Sequence, residues 1–484
     1  MKTKYIFLKP LAIGAISILL LNQGCKKAVE VGKSKAVVFS EDVYSSNNGA
    51  QSVVAGIFTS ISGGAPLYNS ASDVSLTMGL ASDELTNISS STVYAPFYLN
   101  NYTPLVPPPF WVEIYKEVML CNTAIEGINA SSKITASVKK QLIGELKFLR
   151  GFAYFYAVNL YGTPPLILTT DYKISNTASG STSSAIYAQI VQDFTDAQNS
   201  LADGIYVDAS GTTVTDRIRP NKQAASAMLA RVYLYMQDWK NAEAQASAVI
   251  SSGNYTLVSN LNQAFLKASR ETIWALQPVS TVNTNTYDGP ALVVTALYKS
   301  SAQFAITSTL QSAFEPGDNR ATNWVGTFTT ASAPVTTFYY ANKYKSNLLN
   351  NPVVTEYPVV LRLAEQYLIR AEARANQNNI SGAVSDLNAI RARARQTPTS
   401  LPDYASTINK DDCLSDVMHE RQVELFSEWG HRWFDLKRTG KLDAVMNVTA
   451  PVKGTTWSSY KQLMPIPSND IIANPNLKQT PGYN

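Results

Sequence analysis

His419 and Glu420 begin a pattern that a second histidine one helical turn on would complete into a zinc site with a general base, but position 423 is Val. Only two histidines occur in 484 residues, so no metal centre built on histidine is expected. Ser137 and Lys140 have the Ser-x-x-Lys spacing of an activated nucleophile, yet no Ser-Asp-Asn or Lys-Thr-Gly stands in a suitable context. No glycine-rich phosphate loop is present, which speaks against nucleotide chemistry and a bound cofactor. Two acids at the right separation could hydrolyse a glycosidic bond, but among 36 acidic residues no pair stands out. The densest charged run, residues 420–438, has two readings: a substrate grip, or a buried network. The second is favoured, with Arg421, Glu424, Glu428, Arg432 and Asp435 pairing across helix turns while Phe426, Trp429, Trp433 and Phe434 fill the core.

A different chemistry is written at the N-terminus. Lys2, Lys4 and Lys9 precede an apolar run from Pro10 to Leu21, and Gly24 stands directly before Cys25. The run is about a dozen residues, short of the roughly 20 that a spanning helix needs, so it reads as a removable secretory segment. The pattern resembles a bacterial lipoprotein signal over residues 1–24, with Cys25 the residue that carries acyl chains and 25–40 a tether. Residues 41–484 are then one body. Hydrophobic residues at 45% against 16% charged allow a large core, and the formal charge of +4 without a dense basic cluster argues against nucleic acid as a partner. Cys121 and Cys413 lie in apolar helical patterns and are expected to be buried free thiols.

The elements that must position any site are mainly helices. Leu142, Leu146, Leu149, Ala153, Tyr156 and Leu160 share one helical face, with Phe148, Phe152 and Phe155 as a second stripe beside it. Ala225, Leu229, Val232 and Met236 repeat the stepping, as do Ala364, Leu368, Ala371 and Ala375. Each is followed by a polar turn and an alanine-lined helix: Ala242, Ala246 and Val249 in one case, Ala383, Leu387 and Ile390 in the other. These paired helices resemble tetratricopeptide units separated in the chain. Length alone would suggest roughly three domains, but a stack of hairpins shares one core and counts as one unit. Two stretches, about 63–110 and 255–358, lose the helical stripes and gain Gly, Pro, Asn, Ser and Thr. Loops of that length are the natural place for a binding surface on a rigid frame.

Residues 145–162 (ELKFLRGFAYFYAVNLYG) followed by Pro164-Pro165, the hairpins at 219–250 and 361–394, the ER-x-x-E-L-x-x-E-x-x-x-R-x-x-D-L pattern within 419–438, and the closing Met464-Pro-Ile-Pro467 and Asn474-Pro-Asn-Leu resemble, in order, the motifs of the SusD/RagB family of outer-membrane nutrient-binding lipoproteins. The resemblance implies a mostly α, SusD-like fold of tetratricopeptide-like hairpins with a loop-rich, partly β binding face. It also implies a lipid-anchored, non-enzymatic protein at the outer membrane, facing the cell surface, that captures an oligosaccharide or similar nutrient and passes it to a SusC-like TonB-dependent transporter. Lys26 and Lys27 depart from the acidic residues that often follow the cysteine in surface-exported members.

For such a ligand, aromatic planes suit the C–H face of a sugar ring and Asn, Asp or Arg its hydroxyls. The expected contacts are Trp324 and Tyr287 in the second loop region, and Tyr94, Tyr98, Asn101 and Asp83 in the first. Phe97, Tyr102, Glu84, Tyr298, Asp318 and Arg320 lie close by in sequence. Trp111 and Tyr115 read as framework, Trp274 as core, and Asp318 with Arg320 as a structural turn. The alternative function is a tetratricopeptide-like scaffold that binds protein segments and no small ligand.

Overall fold

In the computed structural model, which describes residues 43–63, 68, 70, 73–208, 210–279, 285–348 and 351–483, the apolar stripes become helices. Cys25, the signal segment and the tether lie outside the described residues. The principal helices are α1 (Asn47–Ser62), α2 (Val74–Ala81), α3 (Phe110–Ala130), α4 (Ala136–Tyr161), α5 (Ser183–Ser200), α6 (Lys222–Tyr235), α7 (Trp239–Ser251), α8 (Leu363–Asn376), α9 (Ile380–Ala394), α10 (Lys410–Leu425), α11 (His431–Arg438) and α12 (Leu442–Val452). None of the described helices is long and apolar enough to cross a membrane. The fold is mostly α, as the stripes predicted.

The double stripe of α4 is buried on nearly every side from Leu142 to Tyr161, because α3 and α5 pack against it from two directions. Trp274 closes over the second stripe, edge-to-face with Phe148 at 4.8 Å and Phe152 at 5.3 Å. Cys121 and Cys413 are buried free thiols.

The two alanine hairpins are built alike. Gln237 and Asn378 take left-handed backbone (φ 59° and 64°) to turn the chain. The next residue, Asp238 or Asn379, then caps the following helix by accepting a backbone N–H three residues on. Although separated in sequence, the hairpins touch: α7 packs directly on α8, and Ala230, Ala242 and Ala246 share a cluster with Ile369 and Ala373. Side chains this small let the helix axes approach closely. The stack runs from α3 through α4, α5, α6 and α7 to α8, which meets both α9 and α10.

The charged run is buried, but its pairing differs from the expectation of bonds across helix turns. Arg362 reaches Glu271 (2.9 Å), Glu424 (2.6 Å) and Glu428 (2.8 Å), and Arg320 reaches Asp318 (2.7 Å), Glu420 (2.9 Å) and Glu424 (3.1 Å). Arg421 pairs with Asp435 between helices at 2.7 Å, while Asp435 and Arg438 do pair within α11 at 2.8 Å. Cations from the long inter-hairpin segment and α9 thus serve the carboxylates of α10, which burial leaves with no water to turn to. Burial alone would raise the Glu424 carboxyl, but Arg393, Arg362 and Arg320 hold it far below the usual range.

Among the described residues, six short strands stand in or directly beside the irregular stretches: β1 (Leu85–Asn87), β2 (Thr272–Ala275), β3 (Phe304–Ile306), β4 (Val325–Thr329), β5 (Thr337–Ala341) and β6 (Val359–Arg362). β1 pairs antiparallel with β3, β2 with β6, and β4 with β5.

Candidate ligand-binding face

The β1–β3 ladder brings the two loop regions together, with Leu85 opposite Ile306 and Asn87 opposite Phe304. Beyond it the Ile88 N–H donates to the Gln303 carbonyl at 3.1 Å, and the Ser90 hydroxyl to the Lys299 carbonyl at 2.9 Å. The first loop is thereby fixed beside Tyr298. β3 also lies along β5.

In the β4–β5 hairpin Phe328 stands opposite Phe338 and Gly326 opposite Tyr340. Strand alternation puts these side chains on one face, while Val325 and Tyr339 turn to the core. Tyr298 lies against the first pair, its ring centre 5.2 Å from Phe338 and 5.8 Å from Phe328. All three rings, and Tyr340, are half-buried. The Lys299 ammonium stands 5.6 Å from the Tyr298 centroid, while Thr327 and Thr337 are exposed on the other face of the hairpin. Packed rings with part of their surface open, beside the Lys299 ammonium, suit a ligand with an apolar ring face and a rim of hydroxyls.

The sequence-predicted contacts divide sharply. Trp324 is a correction: it is fully buried, its indole N–H donates to the Leu261 carbonyl at 3.0 Å, and its ring meets Phe265 edge-to-face at 5.6 Å. Lys343 (4.9 Å) and Arg362 (5.7 Å) stand over it, so it is packing for the charged network. Asp83 is a second correction, buried with both carboxylate oxygens held by Arg432 at 2.9 and 2.7 Å. Tyr94 is turned inward, edge-to-face on Phe304 at 5.0 Å, and only 9% exposed. Phe97 and Tyr102 are core. Tyr98 is half-buried and accepts a hydrogen bond from Thr86 at 3.0 Å, Asn101 is exposed, and Tyr287 is half-buried just before the short helix Asp288–Leu292. Asp318 and Arg320 form the structural turn expected of them.

Phe328, Phe338 and Tyr340 were not among the predicted contacts. Two runs rich in threonine and aromatic residues, Thr327-Phe-Thr329 and Thr336-Thr-Phe-Tyr-Tyr340, around a Ser-Ala-Pro turn carried the signal for a hairpin.

The other constellations are otherwise committed. Glu315, His419 and Glu420 bring ligand atoms together, but Arg391 binds Glu315 at 2.6 Å and Glu420 at 2.7 Å, so a guanidinium already holds the place of a cation. A groove of about 590 Å³ lies on the helical side, lined by Leu234, Trp239, Leu414, Met418, Arg432 and Val445 among others.

Residues 167–483 match the model of the SusD family, and residues 54–234 match one described as starch-binding associating with outer membrane. A SusD-like protein of Formosa agariphila is 24% identical over 444 residues, covering 79% of this chain and 82% of that protein. The starch-binding protein SusD of Bacteroides thetaiotaomicron is 32% identical over 140 residues, 27% of this chain and 22% of that protein. A SusD superfamily protein from Bacteroides vulgatus shares the fold at TM-score 0.76 and 19% identity, covering 90% of this chain and 99% of that one. A laminarin-binding SusD-like protein does so at TM-score 0.72 and 22% identity, covering 90% and 99%.

Proposed function

This chain belongs to the SusD family, and from that membership we propose that it is a non-enzymatic, outer-membrane lipoprotein that binds an oligosaccharide and delivers it to a partner TonB-dependent transporter. The observation that carries the reading is the partly exposed cluster that Tyr298 forms with Phe328 and Phe338 of the β4–β5 hairpin. Rings in this setting add about 0.5 to 1.5 kcal/mol each beyond area burial, and micromolar to millimolar capture needs only about 4 to 8 kcal/mol in total. Weak capture suits a protein that must hand its cargo on.

Calorimetric titration of the purified protein with laminarin and starch oligosaccharides tests the reading. Saturable binding of at least one glycan is expected, and silence across a broad glycan panel overturns it. Membrane attachment is assigned to acyl chains on Cys25, so Cys25→Ser is expected to move the protein from the membrane fraction to the soluble one.

A second reading, a scaffold for protein segments, is favoured by the helical groove, whose lining mixes apolar residues with charges of both signs. It predicts peptide capture with no saturable glycan binding.

A further inference from the structure

The two loops that build the ligand face hang from one short stretch of chain, residues 80–84, between α2 and β1. Thr307, directly after β3, donates its N–H to the Glu84 carbonyl at 2.9 Å and its hydroxyl to the Asp83 carbonyl at 2.5 Å. The second loop is therefore tied to this stretch. The first loop is tied there too: the Asn100 amide donates to the Ala81 carbonyl at 3.2 Å.

Two cations from the far end of the chain grip the same stretch. Arg432 in α11 holds the Asp83 carboxylate with two parallel bonds. Lys453, one residue past α12, donates to the carbonyls of Leu80 (2.6 Å), Ala81 (3.2 Å) and Ser82 (2.5 Å) at the C-terminal end of α2. Its ammonium also lies 5.2 Å from the Tyr98 ring centre, and nearby Thr455 donates to the Leu99 carbonyl at 3.2 Å. Asp83 and Lys453 are both buried, so neither belongs to the open face.

We propose that Arg432 and Lys453 are positioning residues for ligand binding, a two-cation clamp that fixes both ligand loops relative to each other and to the helical stack. The proposal rests on the glycan-binding reading of the face. Its geometric content does not. Loosening either cation frees the 80–84 stretch and with it both loops, whereas α4 and the alanine hairpins have no part in the clamp.

Hydrogen exchange on the full protein tests this directly, comparing wild type with Lys453→Met and Arg432→Met. Faster exchange is expected in residues 86–103 and 293–306 together, with α4 and α8 unchanged. Laminarihexaose and maltohexaose serve as probes, and whichever the wild type binds is expected to lose affinity by about tenfold in the variants, because a misplaced contact surface forfeits its preorganisation. Lys453→Arg is expected to restore most of it. Should Arg432→Met be recovered unfolded, Asp83→Asn keeps the shape, removes the charge and carries the same expectation. Exchange that rises in neither loop, or in one alone, overturns the clamp. A wild type that binds no glycan overturns the reading of the face and leaves the exchange result to decide the clamp by itself.

Discussion

Trp324 shows what a single residue can conceal. Its type and its loop-rich neighbourhood suit a sugar platform, but the ring fills the space between Leu261, Phe265 and the charged network. Composition cannot tell which side of a loop a ring faces; only the packing partner can, and those partners lie about 60 and 20 residues or more away along the chain. Trp324→Ala is therefore expected to lower stability by about 3–5 kcal/mol in chemical denaturation, with any loss of binding following from unfolding. Arg320→Met leaves Asp318, Glu420 and Glu424 short of a partner and is expected to cost a comparable amount, about 3–5 kcal/mol. Glu84 gives a pH signature. Burial, and then the neighbouring Asp83, push its carboxyl up to about 8, so the fold keeps a proton that the unfolded chain gives up in the ordinary carboxylate range. Its contribution to stability therefore falls as pH rises from that range toward about 8 and is fully lost above it. Glu84→Gln is expected to raise the melting temperature more at pH 8 than at pH 5; an equal shift at both would remove Glu84 as the source.

At the scale of elements, the helices were legible because period 3.6 survives any tertiary setting. The two apolar stripes at 225–236 and 364–375, each followed by an alanine-lined helix, became two hairpins with the same turn and cap. What the stripes could not specify was partnership, so the direct contact of α7 with α8 was out of reach, as were the Arg320 and Arg362 partners of α10. Of the aromatic hairpin, the sequence of Thr336 to Tyr340 reads as a β-like stretch and no more, since alternation names two faces without saying which is wet. Gly326 tests that face. A Cβ there would stand 2.3 Å from Tyr340 Cζ, so the ring would have to swing away while the backbone pairing is kept. Gly326→Ala is expected to weaken glycan binding with little change in melting temperature. Undiminished affinity would place Tyr340 outside the contact surface.

For the whole molecule, division of labour follows from where order is cheapest to maintain. The helical stack buries the large hydrophobic clusters and holds the charged network, leaving the irregular stretches to be pinned at a few points: the β1–β3 ladder, the β4–β5 hairpin and the residue 80–84 hub. The family resemblance read from the motifs at 361–394 and 419–438 is upheld by the SusD family match over residues 167–483, and the motif at 145–162 falls within the second match, over residues 54–234; all three are core segments whose packing constrains their sequence. The proposed ligand face lies outside those motifs and was only partly legible: Tyr298 stands in sequence beside the expected contacts, while Phe328 and Phe338 were not among them. The most direct test of the account is calorimetric titration of wild type and the Tyr298→Ala/Phe338→Ala double variant with the glycan that binds best in the panel. The account predicts loss of measurable binding in the variant with its melting temperature close to wild type. A variant that keeps wild-type affinity would contradict it.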